Sequence, residues 1–318
     1  WGIIQKVVGA FAWVLRKFMN ISGSEGLVAA GNIFMGMTES PVLIKNYLPT
    51  MNRSEIFLVM VSGMGTIAGS VMGTYIGMLG GTDPAAKVLF ATHLLSASVM
   101  AVPGSIVLAK MLCPQTEEAT DHVAISGKEK ENSNILDAIS SGTVTGVKLM
   151  TNIAAMLLVF ISLVALANYI TEGVIGRYTG LNDWIVKITD GKAQGLTFQF
   201  ILGVITSPFM WLIGVPSQDI MLVGSLLGQK TILNEFVAYF QLQQWKDAGL
   251  FMYEKSILMS TYILCGFANI SSIGILLGGL GVLAPEKRGL ISRIGVPAMI
   301  GGALVSVLSA TIIGMILG

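Results

Sequence analysis

The chain reads SGMGTIAG at residues 62–69 and CGFANISS at residues 265–272, each inside a long apolar run. Both octapeptides place a small residue, Gly, a large residue, a small residue, a polar residue, Ile and two small residues in the same order. Glycine and small polar residues within a span weaken the helix and free backbone groups. We therefore expect two helices that are broken at matching positions. Close helix packing by small residues is the alternative explanation.

Composition indicates that these helices lie in a membrane. Hydrophobic residues make up 53% of the chain and charged residues 12%, whereas a soluble domain has roughly 25% charged residues. Apolar runs long enough to cross or enter a bilayer occur at 56–80, 88–109, 149–170, 196–216, 256–283 and 294–317. We expect an all-α, polytopic membrane protein.

A second repeated feature is a carboxylate inside an apolar, glycine-rich stretch. Glu39 lies in GNIFMGMTES at 31–40, and Glu235 lies in GQKTILNEF at 228–236. An ionisable group at membrane depth costs at least ~2.5 kcal/mol, so it persists mainly where it faces a polar cavity. The pair predicts a binding site between two halves of the protein. A structural carboxylate, paired with a cation such as Lys230, is the alternative.

The matching segments define two repeats with a divider between them. We expect a re-entrant hairpin, a broken transmembrane helix and a further helix in each repeat, with Lys230 at the tip of the second hairpin. The predicted organisation is an interfacial helix at 1–21, a first repeat at 22–112, a polar loop and long scaffold helix at 113–194, an interfacial helix at 195–216 and a second repeat at 217–318.

The distribution of positive charge favours an inverted arrangement of the two repeats. One crossing between the copies turns the second upside down, which places twelve of the 19 Lys and Arg residues on the predicted cytoplasmic side. That excess follows the positive-inside rule. Inverted repeats with interrupted helices are typical of secondary transporters, whose sites lie near the membrane midplane.

The candidate site favours a neutral, hydroxylated ligand. Carboxylates accept hydrogen bonds from hydroxyl and N–H groups, and Asn, Thr and Ser residues near both carboxylates complete the polar surface. An anionic substrate would require arginine, and every Arg lies outside the site. The net charge of +1 gives no indication of nucleic acid binding. No metal-ligand cluster or catalytic motif is present, Cys113 and Cys265 read as ordinary buried thiols, and we expect neither an enzyme nor a bound cofactor.

Three motifs give the chain a resemblance to the concentrative nucleoside transporters over essentially its whole length. They are GMTESP at 36–41, NEFVAY at 234–239 and CGFANISSIG at 265–274. Members of that family carry about three further helices before the point where this chain opens, at Trp1 rather than Met. The resemblance therefore implies a longer parent protein.

The resemblance also implies a homotrimer whose protomers move nucleoside together with a cation by an elevator-like shift of the repeat domain. It assigns the nucleobase to the first hairpin and its broken helix, at Met37, Thr38, Glu39 and Val71. It assigns the ribose to the second, at Glu235, Asn269 and Ser272, with Phe267 packing nearby. It assigns sodium to Asn32, Met35, Thr66 and Ile67, where Met35 and Ile67 supply only backbone carbonyls.

Two features of this chain bear on selectivity. Many members carry glutamine where this chain has Met37, so an amide that could bond the base is absent, which favours purines or a broader range. Some bacterial members couple to protons, but Asn32 and Thr66 both offer oxygen ligands, which favours sodium.

We therefore expect a cation-coupled nucleoside importer in a plasma membrane or bacterial inner membrane, with Na+ or H+ as the co-transported ion. Three alternatives stay open at this point. One is an inverted-repeat carrier for another small polar solute, such as a dicarboxylate or amino acid. Another is an intramembrane hydrolase that uses the glutamate pair, and the third is a passive channel.

Overall fold

The computed structural model describes residues 3–117, 134–189, 191 and 193–318, and the regular structure in these ranges is entirely helical. The α-helices are α1 Ile3–Met19, α2 Gly23–Gly31, α3 Arg53–Gly65, α4 Gly69–Gly80, α5 Pro84–Leu112, α6 Ile135–Asn168, α7 Arg177–Thr179, α8 Leu181–Ile188, α9 Phe198–Leu212, α10 Ile220–Ile232, α11 Glu235–Asp247, α12 Glu254–Leu264, α13 Ile270–Leu283 and α14 Arg288–Ile316. Short 3-10 helices lie at Ser40–Ile44 and Pro285–Lys287, and a π-helix lies at Tyr169–Gly176.

The chain forms two compact units. The larger consists of Trp1–Ile125 and Leu202–Gly318, and the smaller is Ser126–Ile201. The smaller unit contains the long helix α6, which covers residues 149–168 of the apolar run predicted at 149–170. Most of the polar loop predicted from residue 113 to 134 lies outside the described residues.

The larger unit contains two series of helices in the same order. The first series is α2, the 3-10 helix Ser40–Ile44, α3, α4 and α5, and the second is α10, α11, α12, α13 and α14. The expected helix breaks are confirmed, because α3 ends at Gly65 before α4 begins at Gly69, and α12 ends at Leu264 before α13 begins at Ile270. The two hairpins differ, since the second arm of the first has only five helical residues.

Three stretches of the described residues are long and apolar enough to cross a membrane. They are Arg53–Gly80, Pro84–Leu112 and Pro285–Ile316. The helices α9, α10 and α13 are apolar but shorter. The first of the three spans contains the break between α3 and α4, so a membrane-depth segment here has an interrupted backbone ladder. Such interruptions are tolerated where protein or a polar cavity satisfies the freed groups.

The two predicted interfacial helices expose large aromatic side chains. On α1, Val8 is buried whereas Trp13 and Phe18 are exposed; Trp1 lies outside the described residues. On α9, Phe209 and Trp211 are exposed. Exposed aromatic residues on a short apolar helix are typical of segments that lie at the membrane–water interface.

A buried carboxylate at the start of each hairpin accepts hydrogen bonds from neighbouring segments. In the first, Glu25 accepts hydrogen bonds from the backbone N–H of Ser22 and from the Lys110 ammonium, forming an ion pair with α5. In the second, Asp219 accepts the backbone N–H groups of Met252 and Tyr253 at 3.0 and 3.1 Å. Each carboxylate is at most 1% exposed. The two hairpins are thus tied to neighbouring elements by the same type of group with different donors.

The two helix breaks touch each other. The backbone N–H of Phe267 donates to the carbonyl of Thr66 over 3.2 Å. Gly266 has φ of +144°, a conformation that L side chains rarely adopt, and a Cβ there would lie 2.9 Å from the carbonyl oxygen of Met64. A glycine is therefore required at this position both for its backbone angle and for the close approach of the two backbone segments.

We predict that Gly266→Ala lowers the free energy of unfolding by about 1–3 kcal/mol. Alanine is strained at this backbone angle, and its Cβ would clash with the carbonyl oxygen of Met64. The measurement is the melting temperature of the detergent-solubilised protein. Gly278→Ala is the matched control: it is helical and exposed with nothing within 4 Å of a new Cβ, so it should stabilise the protein by about 0.5–1 kcal/mol. Equal melting temperatures for the two variants would contradict the close contact.

Candidate functional site

The carboxylate of Glu235 lies at the first position of α11 and is held between the two repeats. Its Oε1 accepts a hydrogen bond of 3.1 Å from the hydroxyl of Tyr75, which belongs to α4 of the first repeat. Its Oε2 accepts one of 3.0 Å from the amide of Asn269, at the start of α13 in the second. Glu235 is only 7% exposed. Because each oxygen has one fixed donor, the carboxylate is oriented in advance and retains lone pairs for a ligand.

Asn269 has two functions in this cluster. As the N-cap of α13, its Oδ1 accepts the backbone N–H of Ser272 at 2.9 Å and the Ser272 hydroxyl at 3.0 Å. Its Nδ2 points the other way and donates to Glu235. An N-cap residue has non-helical backbone angles, and its polar side chain accepts a backbone N–H of the first helical turn. The helix that restarts after the break therefore has a polar residue at this position. The structure thus joins three of the predicted residues in one network.

Tyr75 is a member of this cluster that the sequence analysis did not select. Its ring stacks on that of Tyr239 with centroids 4.1 Å apart, and the Tyr239 hydroxyl donates to the carbonyl of Thr261 over 2.8 Å. The available signal was its spacing from Val71: four residues later in a helix puts a side chain on the same face. Val71 and Phe267 are half-buried and pack against the same apolar cluster.

The predicted nucleobase residues of the first hairpin lie in the turn that follows α2. Met37 is buried, and a Cβ added at Gly63 would come within 2.9 Å of the Met37 Cβ, so the absence of a side chain at Gly63, near the end of α3, makes room for Met37. The methyl group of Thr38 would lie 3.4 Å from a Cβ at Gly279. Both contacts direct this turn toward the broken helices.

Glu39 differs from Glu235 although the two occupy matching motifs. Its side chain is exposed, and its Oε2 accepts the backbone N–H of Gly36 at 2.8 Å, inside the same turn. It therefore closes the turn locally instead of bridging two repeats. Among the described residues no hydrogen bond joins Glu39 to Glu235 or to its partners.

Lys230 lies in the last turn of α10, next to the tip of the second hairpin, but it does not pair with Glu235. It lies within α10, is fully buried, and its Nζ donates to the carbonyl of Ile263 and the hydroxyl of Ser306, both at 2.8 Å. No ion pair between Lys230 and Glu235 occurs in the part of the chain that the structure describes. These acceptors were not predicted, because the pattern of an apolar helix does not indicate which carbonyl and hydroxyl groups its single lysine can reach.

The predicted cation ligands lie where the first hairpin meets the first break. Asn32 is fully buried; its Oδ1 accepts the Ser40 hydroxyl at 2.6 Å and its Nδ2 donates to the Ser62 hydroxyl at 2.9 Å. The Thr66 hydroxyl donates to the carbonyl of Ser62 at 2.8 Å. The structure therefore connects Asn32 and Thr66 through Ser62, a residue that the sequence analysis did not select.

Both oxygens retain the capacity to bind a cation. The Asn32 carbonyl uses one of its lone pairs for Ser40, and the Thr66 hydroxyl donates its hydrogen while its lone pairs stay unused. Ile67 is buried and Met35 is half-buried beside them. Hard cations such as Na+ prefer oxygen donors of this kind. The candidate ligands, an amide, a hydroxyl and two backbone carbonyls, are neutral; among the described residues no group of three or more His, Cys, Asp or Glu side chains could hold a metal ion.

Family profiles, curated relatives and solved structures match this chain. A family profile described as "Na+ dependent nucleoside transporter C-terminus" matches residues 93–314, and one described as "Nucleoside recognition" matches residues 1–82. An uncharacterized transporter of Haemophilus influenzae is 39% identical, and the match covers 100% of this chain and 72% of the relative. Sodium/nucleoside cotransporter 1 of Rattus norvegicus is 38% identical over 99% of this chain.

The chain spans 47% of the rat protein, about half of its length. Among solved structures, CNTnw in an inward-facing, substrate-bound state superposes with a TM-score of 0.85 at 36% identity. That match covers 100% of this chain and 71% of CNTnw.

Two broken helices, a repeated helix order and a polar site where the repeats meet are typical of multi-pass membrane transporters, and the matched profile describes transporters and not enzymes. Within that class, the chain belongs to the family of sodium-dependent, concentrative nucleoside transporters, because a profile of that family matches more than half of it. The expected fold class and family are thereby confirmed.

We predict that Asn269→Ala lowers the free energy of unfolding by about 1–2 kcal/mol, because α13 loses its N-cap. The melting temperature of the purified protein measures the effect. Asn269→Ser is the control, since serine restores a capping oxygen but cannot reach Glu235 as the amide does. Melting temperatures for the two variants that fall equally far below wild type would show that the cap contributes nothing measurable.

Proposed function

We propose that this chain forms the transport part of a cation-coupled, concentrative nucleoside importer. The observation that carries the proposal is the buried network of Glu235, Asn269 and Ser272 in the second repeat, which Tyr75 joins to the first. A carboxylate with free lone pairs accepts hydrogen bonds from the two ribose hydroxyls, and an amide and a hydroxyl can meet the remaining ribose oxygens. The name of the rat relative and the substrate-bound state of CNTnw support a nucleoside as the ligand.

The nucleobase is proposed to lie against the first hairpin. Met37, Thr38 and Glu39 supply one side of this pocket, and the half-buried Val71 and Phe267 supply apolar surface for the base. Thr38 and Glu39 offer polar groups, whereas Met37 offers only a flexible apolar side chain. A base pocket with fewer fixed hydrogen bonds discriminates less between bases, so we propose a broad or purine-favouring range.

The co-transported cation is proposed to be sodium, bound by Asn32 and Thr66 with the backbone carbonyls of Met35 and Ile67. The backbone N–H of Gly69 donates to the carbonyl of Phe34 at 3.1 Å, so the first break and the first hairpin are already linked beside these residues. A cation held by both elements would fix the turn that carries Met37 to Glu39. Binding of sodium and of nucleoside would then strengthen each other, since coupling between sites is reciprocal.

The transport cycle is proposed to be an elevator-like movement in a homotrimer. The repeats at 22–112 and 217–318 would move as the transport domain. The segments 1–21, 113–194 and 195–216 would remain as the scaffold, with α1 and α9 at the membrane interface. The exposed aromatic residues of these two helices support that division, because they suit contact with lipid headgroups.

Uptake into proteoliposomes made with the full-length protein tests the function. Uridine and inosine uptake is measured under an imposed sodium gradient and, separately, under an imposed proton gradient. We expect accumulation above the external concentration with sodium. Accumulation driven only by protons would overturn the sodium site and retain the function. Uptake of neither nucleoside in either gradient would overturn both.

We predict that Glu235→Gln reduces nucleoside uptake about 10- to 100-fold, because the ribose loses a hydrogen bond to a charged acceptor. The amide is nearly the same size, so folding should be preserved, which the elution profile and melting temperature check. Glu286→Gln, an exposed carboxylate in the second repeat, is the control and should transport as wild type does. Wild-type uptake by the Glu235→Gln protein would refute the ribose assignment.

We predict that Thr66→Val raises the sodium concentration required for half-maximal uptake several-fold, because one oxygen ligand is replaced by a methyl group of similar size. The matched control is Thr92→Val, whose hydroxyl makes the same type of bond to the carbonyl four residues earlier but lies exposed on α5. Uptake is titrated with sodium at a saturating nucleoside concentration. An unchanged sodium dependence in the Thr66→Val protein would remove this residue from the cation site.

A further inference from the structure

The end of α12 at the second helix break has carbonyl groups that no helical N–H can satisfy. The last four carbonyls of any helix lack an intrahelical donor. Here three of them are met by other groups, at distances of 2.8, 3.1 and 2.8 Å. The acceptor and donor pairs are Thr261 with the Tyr239 hydroxyl, Tyr262 with the Cys265 N–H, and Ile263 with the Lys230 ammonium.

The Lys230 ammonium therefore lies at the negative end of the α12 dipole, where a cation is favoured. Its second acceptor is the hydroxyl of Ser306 on α14, which in turn donates to the carbonyl of Gly302. Lys230 itself belongs to α10 and is fully buried. One ammonium thus connects the second hairpin, the second broken helix and the last helix.

At the first break, the carbonyl groups at the end of α3 accept hydrogen bonds from neutral donors. The carbonyl of Ser62 accepts the Thr66 hydroxyl, and the carbonyl of Thr66 accepts the Phe267 N–H. This is also the break at which the exchangeable cation is proposed to bind. Both repeats would then place a positive charge between a hairpin and the end of a broken helix. In the first repeat the charge is a bound ion, whereas in the second it is the side chain of Lys230.

We propose that the Lys230 ammonium is a resident cation of the second repeat, the fixed counterpart of the sodium ion at the first. It is a positioning residue: it holds α10 against α12 and thereby sets the position of Glu235, five residues further along the chain. The ribose half of the site is then organised without any added ion, whereas the base half is completed only when sodium binds. This inference rests on the proposed function and extends it to an asymmetry between the two half-sites.

The test compares Lys230→Met, whose side chain is nearly as long but carries no charge, and Lys230→Ala, which leaves space for a small cation. The control is Ser306→Ala, which removes one acceptor and keeps the charge. Nucleoside affinity of the purified full-length protein is measured with and without n-propylammonium, together with the melting temperature. Tetramethylammonium at the same ionic strength controls for salt.

We expect Lys230→Met to weaken nucleoside binding roughly tenfold or more and Ser306→Ala to weaken it only about two- to threefold, since a charged donor contributes more than a neutral acceptor. n-Propylammonium should restore binding to the Lys230→Ala protein and leave the wild-type and Lys230→Met proteins unchanged. A role limited to packing would leave the Lys230→Met protein close to wild type, because methionine fills most of the same space.

Three results would overturn the proposal. The first is wild-type affinity in the Lys230→Met protein, and the second is a loss in Ser306→Ala as large as that in Lys230→Met. The third is no effect of n-propylammonium on the binding or, where binding is too weak to measure, on the melting temperature of the Lys230→Ala protein. Failure of the wild-type protein to bind any nucleoside would instead refute the proposed function, so the two failures are distinguishable.

Discussion

The contact between the two helix breaks is the constraint on which the larger unit depends. Backbone that leaves a helix at membrane depth must find other partners for its N–H and C=O groups, because lipid offers none. In this chain the N–H of Phe267 at one break pairs with the carbonyl of Thr66 at the other, and Gly266 lets the two segments approach this closely. Polar side chains can then occupy the surrounding space without being left unsatisfied.

This contact also explains why the site is shared between the repeats. Because the breaks meet, Tyr75 of the first repeat and Asn269 of the second reach the same carboxylate. Glu235 is fixed by donors on both sides before any ligand arrives. A preorganised acceptor of this kind loses less conformational entropy on binding than a free side chain would.

The sequence was sufficient to predict features that depend on local composition. Glycine and small polar residues identified both breaks, and the capping preference of asparagine agrees with Asn269 at the start of α13. Residues whose role depends on a partner far along the chain were not predicted. Tyr75 bonds a residue 160 positions away and Lys230 bonds Ser306 across 76, and no periodicity in a single helix specifies such a partner.

Matching motifs also led to an expectation of equal roles for the two carboxylates, and the structure separates them. The first hairpin continues after its turn into a five-residue 3-10 helix, so Glu39 stays within the turn and bonds Gly36. The second continues into the long α11, whose first residue is Glu235, and the helix directs that side chain into the protein. The length of the arm that follows the turn, which the motif does not encode, accounts for the difference.

The hydrogen bonds that cross between the repeats have an evolutionary consequence. A duplicated segment is at first redundant, and either copy can be lost or changed freely. Here Glu235 of the second copy depends on Tyr75 of the first, and the carbonyl of Thr66 in the first depends on Phe267 in the second. Neither copy retains a complete set of partners by itself. The two halves are therefore no longer interchangeable, and selection acts on them as one inherited unit.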